Sequence, residues 1–576
     1  MGKILKRLGK YPAALALTIL SVVFSAAASL LMPAYLANII NVYIPAEDTA
    51  SILDAGGMML VLALAGALCL LLNGYLAAKI SASLGKELSN QMFRHVTYFS
   101  KTEIDHFSAS SLITRTTNDI MQVQNFVTML LRVCLMAPII CIVGSVMAYL
   151  KSPSLSLLIL ISLPLMLAII WIIAKNSTPL SQTMQKQMDR LNLITREKLT
   201  GVRVTRAFGM ETHEEKRFGK ANQEYRTTAS SLGKWMGSME PSLRLIMTST
   251  TVAILALGAW QIAVKPDAIP VGDLIAVIQY VLQINMSGIL LSIALINYPR
   301  AVVSAERINE VLETPASIAN PEQPQSAQEK GSVRFENVSF AFPGADKPVL
   351  QNISFTSYPG ETTAIIGSTG SGKSSIANLI LRFYDVTEGR VLVDGQDVRN
   401  YSLHDLRAKI GFVPQKNFLF SGTIESNIRF GCESAGEKAV TLAAQTAQSM
   451  DFIEKKKDGF ASPVSRGGTN VSGGQRQRLA IARALVRNPE ILIFDDSFSA
   501  LDFKTDAALR KALKERSTDK TTILVAQRVS TIQHADRILV LEEGRCVGLG
   551  THEELLQNCA VYREIVDSQF RKEDVQ

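Results

Sequence analysis

Thr363-Ala-Ile-Ile-Gly-Ser-Thr-Gly-Ser-Gly-Lys-Ser-Ser-Ile376 is the stretch that decides the fold. Thr363, Ala364, Ile365 and Ile366 read as a short buried strand. Gly367, Ser368, Thr369, Gly370, Ser371, Gly372, Lys373 and Ser374 follow as a glycine-rich loop, and from Ser375 to Phe383 apolar residues recur at helical spacing. Strand, loop and helix N-terminus make a phosphate cradle. Glycines let backbone N–H groups close on the anion, the helix end adds partial positive charge, and the lysine reaches the terminal phosphates. The surrounding domain is therefore expected to be α/β.

Further along, Ile491, Leu492, Ile493 and Phe494 form an apolar run that ends in Asp495. A carboxylate at the end of a strand suits Mg2+, with the Ser374 hydroxyl as the other protein oxygen. Between these two stretches, Val471, Ser472, Gly473, Gly474 and Gln475 lead into a helical run through Ala484. A serine hydroxyl and exposed N–H groups at a helix start bind anionic phosphate well.

That last stretch resembles the signature motif of ATP-binding cassette (ABC) proteins. The resemblance extends to Phe342 as the aromatic that stacks on adenine, to Gln415 as the Q-loop glutamine, and to Ser499, Ala500, Leu501 and Asp502 as the D-loop. It implies an ABC nucleotide-binding domain over 333–576 that binds ATP and Mg2+. The P-loop residues Gly367 to Ser375 hold the phosphates, while Ser374, Gln415 and Asp495 attend the metal. Ser472, Gly473, Gly474 and Gln475 face the ATP held by a partner's P-loop, two domains sandwiching two nucleotides head to tail.

Two residues depart from the family pattern. Asp496 stands where a glutamate polarises the attacking water, and Gln527 where a switch histidine is expected. Aspartate is one methylene shorter, and a misplacement of about 1 Å costs on the order of 100-fold in rate. A glutamine amide exchanges only neutral hydrogen bonds, whereas histidine shares a proton near neutral pH. With Asp496, Gln527 and Gln415 at the catalytic positions, the site is expected to bind ATP and hydrolyse it slowly. A weaker third departure is Arg466, aligned where many exporters carry an acid. The pattern resembles the degenerate-site half of heterodimeric bacterial exporters, the other chain supplying the glutamate and histidine.

The first 300 or so residues carry six apolar stretches near Pro12 to Ile40, Gly56 to Ala78, Val133 to Leu150, Ser152 to Ala174, Ile246 to Val264 and Leu274 to Tyr298. Runs of about 18 or more apolar residues span a bilayer, and six of them exclude a soluble ABC ATPase. The first follows Lys3, Lys6, Arg7 and Lys10 and is too long for a cleaved signal, so it reads as an uncleaved anchor. The segments after spans two and four are rich in Lys and Arg. The outer connections carry few basic residues, among them Lys151 and Lys265, which puts both termini in the cytoplasm. The fold expected is an all-α six-helix membrane domain over 1–313, a linker over 314–332 and the nucleotide-binding domain after it. The linker holds Pro315, Pro321, Pro324 and Gln328, and no internal repeat is evident, so this is a half-transporter.

Two polar extensions, Lys79 to Leu131 and Lys175 to Leu245, remain helical in pattern. Ile104 to Ile120, with Asp105, Phe107, Arg115, Asn118 and Asp119, resembles the first coupling region of ABC exporters. Ala207 to Phe218, with Phe208, Gly209 and Glu214, resembles the second. The net charge of +8 is dispersed over cytoplasmic segments, which fits positive-inside bias and anionic lipid rather than nucleic acid. The cysteines at 69, 134, 141, 432, 546 and 559 show no paired metal-ligand spacing.

Asn73, Gln279, Gln283 and Asn285 are candidates for lining a central cavity, with Tyr280 and Met286 beside the last three; interhelical hydrogen bonding is the competing reading. Arg132, near the inner start of the third span, has two readings, meeting an anionic substrate or reaching for lipid headgroups, and the headgroups are the favoured one. The function expected is ATP-driven export of hydrophobic or amphipathic cargo (drug, lipid or peptide) from a bacterial-type inner membrane as half of a heterodimer. A homodimeric exporter and a nucleotide-gated regulator or channel are the alternatives.

Overall fold

The computed structural model describes residues 1–264, 269–325, 329–516 and 518–573; Lys265 and Gln328 lie outside the described residues. The chain divides into two compact units, Met1–Thr97 with Ala109–Thr314, and Tyr98–Ser108 with Pro315–Gln576.

The first unit is helical. Among the described residues, six helices are long and apolar enough to cross a membrane: α1 Pro12–Tyr43, α2 Thr49–Thr97, α3 Ala109–Lys151, α4 Pro153–Thr200, α5 Glu211–Val264 and α6 Val271–Glu313. They cover the six apolar stretches read from the sequence, with Ser152 as the cap of α4, and extend beyond them at one or both ends. At 1.5 Å per residue, the 49, 48 and 54 residues of α2, α4 and α5 extend about 70–80 Å, more than twice a bilayer's hydrocarbon core. Only 6% of the most apolar window of α2 is buried, and Leu64, Leu68 and Leu71 face outward. Such a surface is a liability in water and suits lipid, where a helix satisfies its own backbone groups.

The best-covered span is α6, whose Tyr280 and Ile284 are fully buried. The Tyr280 hydroxyl donates to the Leu30 carbonyl at 3.1 Å, which ties α6 to α1. Wide π turns occur at Ile39–Tyr43, Arg115–Asp119 and Leu130–Cys134.

The segment expected to form one coupling region is divided. Helix Lys101–Phe107, with Asp105 and Phe107, belongs to the second unit, whereas Arg115, Asn118 and Asp119 lie in α3 of the first. The physical break is Ser108, whose φ of 61° no helix continues. Within the first unit, Arg115 pairs with Glu310 at 2.6 Å and Asp119 accepts from Ser304 at 2.8 Å. The second expected region, Ala207 to Phe218, begins where a short helix, Val202–Ala207, ends; Phe208 there is 76% exposed, and α5 starts at Glu211 within the region.

The second unit has two main sheets. One is antiparallel, in the order β2-β1-β4-β5, from β1 Val333–Phe340, β2 Leu350–Ser357, β4 Glu388–Val393 and β5 Gln396–Asp397. The other has the order β10-β9-β3-β8-β7-β6, from β3 Thr362–Gly367, β6 Ile410–Val413, β7 Ile491–Asp495, β8 Thr521–Val525, β9 Arg537–Glu542 and β10 Arg545–Gly550. All its neighbours pair parallel except β10 at the edge. Ala364–Ile366 and Ile491–Phe494 are continuously apolar because both faces of the sheet are covered: Ala364, Ile366, Leu492 and Phe494 pack against helices, while Ile365, Ile491 and Ile493 pack with the antiparallel sheet and helix Lys373–Ile380. The fold class is therefore as the sequence implies: six apolar helices, then an α/β domain.

Candidate functional site

Strands β3, β8 and β7 lie side by side and parallel, so their C-terminal ends share one edge, where ligands of such sheets bind. Val525 pairs with both Ile365 and Asp495, which aligns the loops that follow the three strands.

The loop after β3 carries Gly370 and Gly372 at φ 87° and 92°. At Gly372 an added Cβ would lie 2.7 Å from Leu350 Cδ2 and 2.9 Å from the Val349 carbonyl, so the turn admits no side chain. Helix α7, Lys373–Ile380, begins there. Lys373 is buried, and its Nζ donates to the Gly367 and Ser368 carbonyls at 2.9 and 2.7 Å. Burial pulls its pKa down against the opposing charges of Asp496 and Asp495.

Ser374 Oγ donates to Asp495 Oδ1 at 2.9 Å. Burial pushes the Asp495 carboxyl up, with Asp496 adding to it; the Ser374 hydrogen bond and Lys373 oppose. A buried carboxylate beside a hydroxyl, both hard oxygen donors, fits Mg2+, whose charge would reverse that penalty.

Asp496 begins the next loop at φ 48°, its N–H donating to the Val525 carbonyl at 2.8 Å. Its Oδ2 accepts from Gln527 Nε2 at 3.0 Å and from Gln415 Nε2 at 3.3 Å. The three positions singled out as catalytic thus meet on one oxygen. The Gln527 carbonyl in turn accepts from Gln569 Nε2 at 2.8 Å, and Gln569 Oε1 accepts from the Val529 N–H at 2.8 Å. Nothing in the sequence around Gln569, on helix Ala560–Glu573, pointed to this brace. Phe342 stands at the unit's surface edge-on to Phe340 at 4.9 Å and to Tyr384 at 5.3 Å, the tyrosine being a neighbour the sequence did not flag.

Ser472 caps helix α8, Gly473–Leu485. Its Oγ accepts from the Gln475 N–H at 3.3 Å, and Gln475 Oε1 accepts from the Ser472 N–H at 3.2 Å, a reciprocal capping box. Gly473 has open space where a Cβ would be, and Gly474 follows in the same turn. This surface makes no hydrogen bond to the P-loop among the described residues. Arg466 is exposed, in the short turn Arg466–Gly468.

In the first unit a cavity of about 780 Å³ opens among α1, α2, α3 and α6. Gln279, Gln283 and Met286 line it, as expected; so does Arg132, which therefore stands on the cavity wall rather than on a lipid-facing stripe. Asn73 and Asn285 do not line it. Asn73 is buried and donates to the Leu131 carbonyl at 3.3 Å, serving the helix interface; Asn285 is fully buried with both amide atoms unmatched.

A P-loop unit with a signature-type capped helix, on one chain with six membrane-length helices, defines an ATP-driven transport protein. Comparison with known proteins agrees. Residues 15–287 match the family described as ABC transporter transmembrane region, and residues 350–499 match ABC transporter. An uncharacterized ABC transporter ATP-binding protein of Mycobacterium tuberculosis is 43% identical over 95% of this chain and 94% of its own length. The YfiB protein of Bacillus subtilis is 36% identical over 100% and 99%. The ATP-dependent lipid A-core flippase of Haemophilus influenzae is 32% identical over 87% and 85%. The structure of a bacterial Atm1-family ABC exporter with ATP bound superposes with a TM-score of 0.80 at 27% identity, covering 97% of this chain and 98% of that one.

The chain belongs to the ABC transporter family, as an exporter half-transporter: a multi-pass membrane protein with an ATP-hydrolysing domain that works with a second half.

Proposed function

We propose that this chain's own nucleotide site holds Mg-ATP and turns it over slowly, while its signature helix completes the fast site of a different half-transporter. The observation that carries the reading is the Asp496 carboxylate, short by one methylene and engaged on Oδ2 by the Gln527 and Gln415 amides. A base must reach the proton it removes, and this one is occupied by neutral donors that cannot relay it.

In this reading Gly367 to Ser375 cradle the phosphates, Phe342 takes the adenine, and Ser374, Asp495 and Gln415 hold Mg2+. The metal, when bound, neutralises phosphate charge. Ser472, Gly473, Gly474 and Gln475 contact the nucleotide of the partner, which carries the glutamate and histidine lacking here. ATP binding closes the paired domains and turns the membrane cavity outward, releasing hydrophobic or amphipathic cargo. The linker runs over 314–332. Both termini and the ATP-binding domain face the cytoplasm of a bacterial-type cell, since the basic flanks lie on that side.

The test is made on the co-purified dimer. Ser472→Ala is expected to abolish most ATP turnover, whereas Lys373→Ala removes one bound nucleotide and only part of the turnover. Equal losses from the two substitutions would overturn the division of labour.

A further inference from the structure

The geometry points to a cargo with one acidic headgroup on an apolar body, its anion met by Arg132. This deepens the exporter reading and rests on it.

Arg132 is the only charged residue among the described residues that line the 780 Å³ cavity. Its place there is built. On the same helix Asn125, Thr128, Met129, Val133, Met136 and Ile140 also line the cavity, so Arg132 sits at the middle of its inward stripe. An arginine reaching for headgroups would occupy the outward stripe. Among the described residues it has no ion pair and no hydrogen bond.

The backbone under it is special. Leu130–Cys134 forms a π turn, which shifts the facing of the helix and frees carbonyls from the regular ladder; such turns concentrate at functional sites. Buried Asn73 donates to the Leu131 carbonyl at 3.3 Å and so braces the turn from α2. Asn73 is thus a positioning residue for Arg132.

A lone cation inside a membrane domain is costly, and such groups are kept where they meet a counter-charge. Among the described residues no acid stands in the cavity wall, so the counter-charge comes with the ligand. The rest of the wall suits the ligand's other end. Met32, Met129, Met136 and Met286 present flexible, polarisable thioethers that fit apolar shapes without demanding one. Gln283 lines the wall as well, its amide donating to the Ser29 carbonyl at 3.2 Å and tying α6 to α1 beside the cavity.

The experiment uses the full chain in nanodiscs without nucleotide, so its outcome does not depend on how the ATP site behaves. Probes share one dansyl-labelled dodecyl chain and differ in head: carboxylate, phosphate, hydroxyl or trimethylammonium. Binding is read by fluorescence against empty nanodiscs, and retained ATP-analogue binding reports that each variant is folded. An acidic probe is expected to bind at least tenfold more tightly than the hydroxyl and cationic ones, as a charge-assisted contact implies. The carboxylate and phosphate arms tell which acid is preferred. Arg132→Gln should erase the preference, Arg132→Lys should keep part of it, and Arg132→Glu should turn it toward the cation. Asn73→Leu should weaken acid binding while leaving the hydroxyl probe unchanged. Equal affinity for all four heads, or an acid preference that survives Arg132→Gln, would overturn the inference.

Discussion

Replacing Asp496 by Glu, alone and with Gln527→His, probes the nucleotide site where its geometry is most specific. Asp496 stands on a backbone of φ 48°, with two amides on its Oδ2 at 3.0 and 3.3 Å. Glutamate adds one C–C bond, about 1.5 Å of reach. Since a misplacement of about 1 Å costs on the order of 100-fold, Asp496→Glu alone is expected to raise hydrolysis at this site by roughly that factor. Left-handed backbone favours Asp over longer side chains, so a cost of about 1 kcal/mol, seen as a small fall in Tm, accompanies the gain. Histidine at 527 adds a group that shares protons near neutral pH, and the double variant should exceed the single one. The assay is single-turnover hydrolysis of radiolabelled ATP by the dimer in a Ser472→Ala background, which silences the partner's site and leaves this one visible. Unchanged rates in both variants, with ATP binding intact, would refute the argument that these side chains limit the chemistry.

Gly372→Ala places a Cβ at φ 92° against Leu350 and the Val349 carbonyl. The left-handed cost of about 1–2 kcal/mol alone corresponds to a loss of ATP affinity near tenfold; unaltered binding of a fluorescent ATP analogue would refute it. Glu103 is buried in the second unit, where its carboxylate accepts from the Ser317 N–H at 3.1 Å and the Ser100 N–H at 2.7 Å. Burial alone would raise its pKa, yet the hydrogen bonds from Ser100 and Ser317 win and hold it below the ordinary value of 4.5. Its contribution is thus present above that value and is lost as pH falls through the lower folded one. Glu103→Gln should lower Tm at neutral pH and flatten its acid limb; an unchanged acid limb would count against the assignment.

What was legible in the sequence was local. The P-loop, the strand ending in Asp495 and the capped Ser472 helix each depend on a few adjacent residues, and apolar runs long enough for a bilayer announce themselves. The convergence of Gln415 and Gln527 on Asp496 was legible only as three separate positions, because their meeting depends on the order of β6, β7 and β8. Gln569 lay beyond reach for the same reason, since its hydrogen bonds join the C-terminal helix to residues 40 and 42 positions earlier. In the membrane unit the π turn at Leu130–Cys134 has no composition of its own, so the facing of Arg132 could not be read from a regular helical period. Asn73 and Asn285 look alike as polar residues in spans; which of them serves a carbonyl is decided by packing. Ser108 divides the expected coupling region through a backbone angle that a serine rarely adopts.

The most direct measurement is steady-state ATPase of the full chain in lipid, first alone and then co-purified with half-transporters that carry the missing glutamate and histidine. Ordinary enzyme turnover is on the order of 1–1000 per second. Turnover well below that range is expected for the chain alone, with a strong rise in the presence of one partner. Full turnover from a dimer of this chain alone would show that Asp496 and Gln527 suffice, and would contradict it.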